Sequence, residues 1–356
     1  MKILIITPLS PPQTGGPATV TVLLSEFFGG LGHTIQVVSF KDCLQYPFLV
    51  RHFVFFLKVF SAAKGKDKVY LLDTVSAGLP AICALRLRSM PYTLRVPGDY
   101  AWETYVSRTE NNVGSDEFWS RSQGLLYEAL KLLQKFAIDH ASGVIVQSQF
   151  QKQLLQKWGA SPSKLYVIPN AISLPFSVVK PKPYSVIVVG RLHPIKGLEA
   201  VIRAMVRVSI RFPELRVAFY GDGPQLSELK DLAYTLGASE YISFKGSKSH
   251  EETLQAMAES EVYILNTKQE MFSNTLLESF ALGMKVVATN GGGNAEMVDG
   301  NAIVVPFNDE AAIADAVIQL FTDHKFAAEL AAHAKESVKK YSTENILPVW
   351  KQTLEK

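Results

Sequence analysis

Short apolar, β-branched runs recur at residues 3–7, 35–40, 69–72, 92–96, 144–146 and 165–168. With so few polar positions inside them, each predicts a strand buried on both faces. The longer segments between them have helical period, residues 125–140 among them. Strand and helix alternating in this way predict βαβ units and a parallel sheet.

The alternation pauses after residue 170, where Pro169, Pro175, Pro181 and Pro183 deny the backbone regular hydrogen bonding. A linker over 171–185 therefore divides a first domain, 1–170, from a second, 186–342. The pattern restarts with strands predicted at 186–189, 216–220, 262–265 and 285–288 and helices beginning near Gly197, Pro224, His250 and Ser273. Both halves open on a strand, a glycine-containing loop and a helix, over 7–16 and again over 190–197. The expected architecture is α/β, with two Rossmann-like domains facing each other across a cleft, since open α/β sheets bind ligands at their carboxyl ends. Ile346, Leu347, Trp350 and Leu354 have helical spacing, so residues 343–356 are expected to form a helix that packs back on the first domain.

Composition narrows the classes. The chain has 356 residues, 47% hydrophobic and 19% charged, which suits two compact cores and excludes disorder. A formal charge of +3 without a concentrated Lys/Arg stripe speaks against a nucleic-acid partner. Cys43 and Cys83 stand apart from each other and from any His/Cys cluster, so neither a disulfide framework nor a zinc site is expected. The opening apolar run ends at Thr7-Pro8 and reads as a strand rather than a signal peptide. No uncharged run reaches bilayer length. A cytoplasmic protein is expected.

Candidate chemistry gathers in the second half. Arg191 and Lys196 lie in the loop that opens at Gly190, where a strand gives way to a helix. Two cations there suit a diphosphate, one as a planar fork and one as a point charge. The stretch Glu270-Met271-Phe272-Ser273-Asn274-Thr275-Leu276-Leu277-Glu278 follows a strand and opens a helix. A helix start offers backbone N–H groups and the positive end of the dipole to an anion. Glu270 before the helix and Glu278 within it are placed to accept hydrogen bonds from sugar hydroxyls.

Arg191, Lys196 and the stretch Glu270 to Glu278, with Gly221-Asp222-Gly223-Pro224 between them, resemble the retaining GT-B glycosyltransferases of family 4 (glycosyl transferases group 1). The likeness extends to Gly15-Gly16, Ser148, Val167-Ile168-Pro169-Asn170 and Gly291-Gly292 with Glu296. It implies a sugar transferred from a nucleotide diphosphate to a saccharide or lipid-linked acceptor, in polysaccharide or glycolipid biosynthesis. It further implies that Arg191 and Lys196 hold the diphosphate, that Glu278 binds the ribose and that Glu270 touches the transferred sugar. Backbone at Phe272, Ser273, Asn274 and Thr275 would meet sugar and phosphates, with Gly16 approaching from the other domain. The sequence has no Asp-x-Asp to hold a catalytic metal, so transfer without a metal or other cofactor is expected. A nucleotide-sugar epimerase and a catalytically silent sugar-nucleotide binder are the competing readings. Neither glycine loop has the GxGxxG spacing of a dinucleotide-dependent dehydrogenase.

The first half departs from the family pattern. Family members often carry a histidine after the fourth strand, and residues 93–103 contain none. Asp99 and Arg95 are the polar residues placed to substitute, Asp99 by orienting an acceptor hydroxyl; a turn and cap is the other reading of Gly98-Asp99. Residues 107–122 read as a flexible polar loop over the acceptor side or as an exposed connection. His193 either lines the donor pocket or is a bystander. Phe53, Phe55, Phe56, Leu57 and Phe60, with Arg51, Lys58, Lys64, Lys66 and Lys68 near them, suit either an anionic membrane surface or a buried crossover helix.

Overall fold

The computed structural model describes residues 1–10, 16–109, 111, 113–173 and 179–354; Gly15, Asn112 and Pro175 lie outside them. The chain forms two compact units, one of Met1–Arg108, Val113–Asn170 and Ile346–Lys356, the other of Thr109–Asn112 and Ala171–Asn345.

The first unit is built on a six-stranded parallel sheet of β1 (Lys2–Thr7), β2 (Thr34–Ser39), β3 (Lys68–Leu71), β4 (Thr93–Arg95), β5 (Gly143–Val146) and β6 (Leu165–Val167). The order is β2-β1-β3-β4-β5-β6. Ile3, Leu4, Ile5 and Ile6 are fully buried in β1, between β2 and β3, as an unbroken apolar run requires. Phe28, from the helix Gly16–Gly30, stacks on Tyr70 of β3 with ring centroids 5.5 Å apart. The carboxy-terminal helix Thr343–Lys351 reaches the same unit: Trp350 meets Tyr70 edge-on, and the Tyr70 hydroxyl lies 2.6 Å from Thr353 Oγ1.

The second unit holds β7 (Lys182–Val189), β8 (Arg216–Tyr220), β9 (Ile242–Gly246), β10 (Ser260–Leu265), β11 (Lys285–Ala288) and β12 (Ile303–Val304), in the order β12-β11-β10-β7-β8-β9. All its neighbours are parallel. This is the doubly wound arrangement of dinucleotide-binding sheets, and the strand order reverses between β7 and β10. The helix Leu198–Arg211 covers β7 with Leu198, Val201, Ile202, Met205 and Val208, an i, i+3, i+4, i+7 stripe that is wholly buried. Each of those side chains contributes about 1.5–3 kcal/mol of burial.

Several expectations need correction. Strand β7 starts at Lys182, so pairing begins inside the segment assigned to the linker; Pro181 stands before the strand, and Pro183 lies ahead of the Ser185–Val189 ladder with β8. Edge strand β9 and the two-residue β12 were missed, β9 because Ser243 and Lys245 interrupt its apolar run. Most of the described residues of 107–122 are helical rather than open loop. They continue the helix Tyr100–Thr109 and then form the helix Ser115–Ser120, which Trp119 anchors by stacking on Trp158 at 4.0 Å. Cys43 is buried and Cys83 exposed, both as free thiols. Among the described residues, no helix is long and apolar enough to cross a membrane.

Candidate functional site

The reversal of strand order between β7 and β10 opens a crevice at the carboxyl end of the second sheet, where ligands of such sheets bind. Two loops line it, one leading from β7 through Gly190 to Gly197 and the other from β10 through Asn266 to Ser273. The two loops are hydrogen-bonded to each other. Lys268 N–H donates to the Ile195 carbonyl at 2.9 Å, and Asn266 Nδ2 donates to the Gly197 carbonyl at 2.8 Å. Across this seam Lys196 Nζ pairs with Glu270 Oε1, with side chains 17% and 29% exposed, so the pair is partly shielded from water yet reachable. A small pocket beside it is lined by Gly190, Arg191, Lys196, Leu198, Leu265 and Asn266. Arg191 stands exposed at its rim.

Glycines make these approaches possible. Gly190 N–H donates to the Tyr220 carbonyl and Leu192 N–H to the Asp222 carbonyl, each at 2.9 Å, which locks the β7 loop onto the one after β8. A Cβ on Gly221 would overlap the Gly190 carbonyl, and one on Gly223 would overlap that of Leu192. Glu270 is seated the same way: its carbonyl accepts from Gly293 N–H at 2.8 Å, and Gly292, at φ +68°, passes too close to that carbonyl for any side chain.

Helix Asn274–Leu282 starts at this crevice. Ser273 caps it, its Oγ accepting from Leu276 N–H at 3.3 Å. The first-turn N–H groups of such a helix have no carbonyl of the preceding turn to bond, and with the dipole they form an anion seat. Phe272 turns its ring into the core, edge-on to Tyr341, and so offers the site its backbone alone. Thr275 Oγ1 accepts from the Tyr263 hydroxyl at 2.7 Å. Burial raises the Tyr263 pKa, the Thr275 hydrogen bond opposes that, and the nearby charges of Glu278 and Glu270 raise it further. Glu278, 14% exposed, accepts from His250 Nε2 at 2.8 Å. His250 was singled out only as a helix start; the Ser249-x-x-Glu252 capping box, complete in the structure, is the signal that fixes it at the first helical position.

Residues assigned to the first unit behave differently. Gly16 opens the helix Gly16–Gly30. Asp99 is fully buried, and its oxygens are taken by Ser115 Oγ at 2.6 Å, Trp119 Nε1 at 2.7 Å and the Trp102 N–H at 3.2 Å. Burial pushes its pKa up to about 6, ahead of the opposing hydrogen bonds. The geometry follows the turn-and-cap reading: Asp99 knits the helices Tyr100–Thr109 and Ser115–Ser120 together and faces no open space where an acceptor hydroxyl could reach it. Arg95 is also buried and donates to Asn170 Oδ1 at 2.6 Å. In the second unit, His193 is 2% exposed and its Nδ1 accepts from the Ile195 N–H at 3.3 Å, so it shapes the Lys196 loop from beneath.

A second groove lies at the amino ends of β7, β8 and β9, lined by Lys182, Arg216, Glu240 and Glu259 among others. Lys182 is paired there with Glu259, and the groove lies at the end of the sheet opposite the glycine loops.

Known proteins share this architecture. The profile described as Glycosyltransferase Family 4 matches residues 14–175, and that described as Glycosyl transferases group 1 matches residues 173–337. One relative is the GtfA subunit of the UDP-N-acetylglucosamine–peptide N-acetylglucosaminyltransferase of Streptococcus pneumoniae, 28% identical over 233 residues, 61% of this chain and 46% of the relative. Another is the gpi3 subunit of the phosphatidylinositol N-acetylglucosaminyltransferase of Schizosaccharomyces pombe, 25% identical over 206 residues, 55% of this chain and 45% of the relative. The aligned part covers about half the length of these relatives. In fold, the chain is similar to Anabaena HepE in complex with UDP-glucose (TM-score 0.79, 18% identity, 100% and 99% of the two chains covered). It is likewise similar to the sucrose-phosphate synthase of Thermosynechococcus elongatus (TM-score 0.80, 19% identity, 99% and 98% covered). With two six-stranded parallel sheets and profiles that adjoin across residues 14–337, the chain belongs to glycosyltransferase family 4, whose fold is GT-B.

Proposed function

We propose that this protein is a retaining glycosyltransferase that moves a sugar from a nucleotide diphosphate to a saccharide or lipid-linked acceptor, in polysaccharide or glycolipid biosynthesis. The observation that carries the reading is the meeting of Lys196 and Glu270 at the β7/β10 reversal, beside the start of the helix Asn274–Leu282. In the free protein Lys196 is held by Glu270. An incoming diphosphate draws Lys196 to its own oxygens and releases Glu270 to the hydroxyls of the sugar. As the bond from the anomeric carbon to the phosphate oxygen breaks, its electron pair moves onto the diphosphate. Lys196, Arg191 and the helix-start N–H groups stabilise that charge. The acceptor oxygen bonds to the same face of the carbon, and its proton passes to the departing phosphate oxygen. With two cations in place and no Asp-x-Asp in the sequence, the scheme needs no metal.

UDP-N-acetylglucosamine is the first donor to test, because the name of the pneumococcal relative contains it. Released nucleotide is measured for UDP-, GDP- and ADP-sugars with and without a pool of lipid and saccharide acceptors, and the anomeric configuration of the product is read by NMR. Release that depends on acceptor, with retained configuration, is expected. Epimerised sugar without release, or binding without turnover, would replace this reading with an epimerase or a silent binder.

We further propose that the first unit rests on an anionic membrane surface, as a lipid-linked acceptor requires. In the helix Phe48–Ala62 only Phe55 and Val59 are buried, while Phe48, Leu49, Phe53 and Leu57 are 64%, 79%, 62% and 48% exposed. Lys58 and Lys64 are exposed beside them. A crossover helix buried in the domain would not leave this face uncovered, and the combination suits headgroups and acyl boundary together. The protein is expected to float with vesicles containing phosphatidylglycerol, and Phe53→Glu with Leu57→Glu to abolish flotation while the melting temperature is unchanged. Wild-type protein that stays in the dense fraction ends the proposal.

A further inference from the structure

Glu278 is nearly enclosed, and among the described residues only His250 gives it a hydrogen bond. The two come from different elements. His250 is the first residue of the helix His250–Ala258, held there by Ser249 Oγ accepting from Glu252 N–H at 3.2 Å and Glu252 Oε2 accepting from Ser249 N–H at 2.9 Å. Glu278 lies in the second turn of Asn274–Leu282. The loop before His250 leaves β9 at the same end of the sheet as the β7 and β10 loops, and Gly246 at the end of β9 accepts from Gly221 N–H at 2.9 Å. His250 thus belongs to the same rim as Lys196 and Glu270.

We propose that His250 is a positioning residue for the donor: through Nε2 it fixes Oε1 of Glu278, so that Oε2 is presented to the vicinal hydroxyls of the nucleotide's ribose. This rests on the reading of Glu278 as the ribose acceptor. The physical need is plain. A carboxylate at the end of a three-bond side chain has rotamer freedom to lose on binding. One withdrawn from water also needs a compensating donor in the free protein. His250 meets both needs by donating Nε2–H, which the imidazolium and the Nε2–H form of the neutral ring both carry, so pairing does not depend on its charge. Its pKa is raised, chiefly by the hydrogen bond to Glu278 with the carboxylate charge adding and burial opposing. A site that relied on a lone glutamate would pay the orientation cost with every ligand.

The test uses calorimetry with UDP and 2′,3′-dideoxy-UDP on the full-length protein, with ADP and GDP pairs substituted if UDP does not bind. His250→Ala is expected to weaken UDP about tenfold, roughly 1.4 kcal/mol, and to leave the dideoxy compound unchanged. His250→Gln, whose amide nitrogen reaches the position of Nε2, is expected to restore UDP binding to within about twofold of wild type, in keeping with one hydrogen bond to a charged group. By NMR, the raised pKa of His250 is expected to return to the ordinary histidine range in Glu278→Gln. Equal UDP affinity in His250→Ala, or equal losses for UDP and dideoxy-UDP, would overturn the proposal while leaving the donor site standing. If Glu278→Gln binds UDP as wild type does, or if no nucleotide binds, the ribose role of Glu278 falls and the role of His250 with it.

Discussion

Lys196→Ala is expected to lower kcat/KM for the nucleotide-sugar donor by a factor of about 10²–10³, the cost of removing one preorganised charge from a site where negative charge develops, about 3–4 kcal/mol. Two effects act together. The cation facing the diphosphate is gone, and Glu270, which Lys196 had paired, is left as a partly shielded carboxylate that repels the ligand. At 4 Å and an effective dielectric constant near 20, such a repulsion is of order 4 kcal/mol before solvent screening, so it matters as much as the missing attraction. The double variant Lys196→Ala/Glu270→Ala separates them. Relative to Lys196→Ala alone it is expected to bind UDP more tightly by calorimetry yet to transfer sugar no faster, since Glu270 is then absent from the sugar side. Donor kinetics of Lys196→Ala within threefold of wild type would mean that the diphosphate binds elsewhere.

The second large effect concerns the scaffold. Gly221→Ala is expected to destabilise the second unit by about 3 kcal/mol or more. Its φ of +135° is a conformation that only glycine adopts readily, and the added Cβ would press into the carbonyl of Gly190. For a unit of this size that lowers the melting temperature by roughly 6–12 °C. Gly237→Ala is the control, because Gly237 also has positive φ, +68°, but nothing lies within 4 Å of a Cβ there. It is expected to cost only about 1 kcal/mol, the conformational part alone. The difference between the two melting temperatures measures how closely the β8 loop presses on the loop carrying Arg191 and Lys196. Equal shifts would show that the overlap relaxes at no cost. A weaker nucleotide affinity in Gly221→Ala accompanies the expected result, because Gly190 must move with its neighbour.

Much of the second unit and of its candidate site was legible along the chain because its determinants are local. The apolar runs at Ile3 to Ile6 and Val186 to Val188 were long enough to exclude a half-solvated strand, and both proved central. Ser273 read as a helix start because a hydroxyl beside the first turn satisfies a donor that the helix cannot, and the cap is present. Where the reading failed, the missing information was distance in space. Asp99 beside Gly98 has the same local appearance whether it faces a substrate or a buried hub. Only the arrival of Ser115 and Trp119 on its Oδ2, with the Trp102 N–H on its Oδ1, shows that the carboxylate faces the interior. His250 and Glu278 are 28 positions apart, and no periodicity links them. The polar residues around Trp119 looked like open loop by composition, yet Ser115–Ser120 is a helix and Trp119 stacks on Trp158.

By itself, then, the sequence determined the alternation of buried strands and amphipathic helices, the division into two Rossmann-like halves, and the two loops that meet at the candidate site. Each of these depends on hydrophobic period, capping or glycine placement within about ten residues of chain. Tertiary structure alone decided that Lys196 meets Glu270, that Glu278 is held by His250, and that Asp99 is withdrawn into the interior. The reason is that ion pairing and desolvation depend on which strands become neighbours. The β7/β10 reversal, which no local pattern encodes, brings residues 74 positions apart into one crevice.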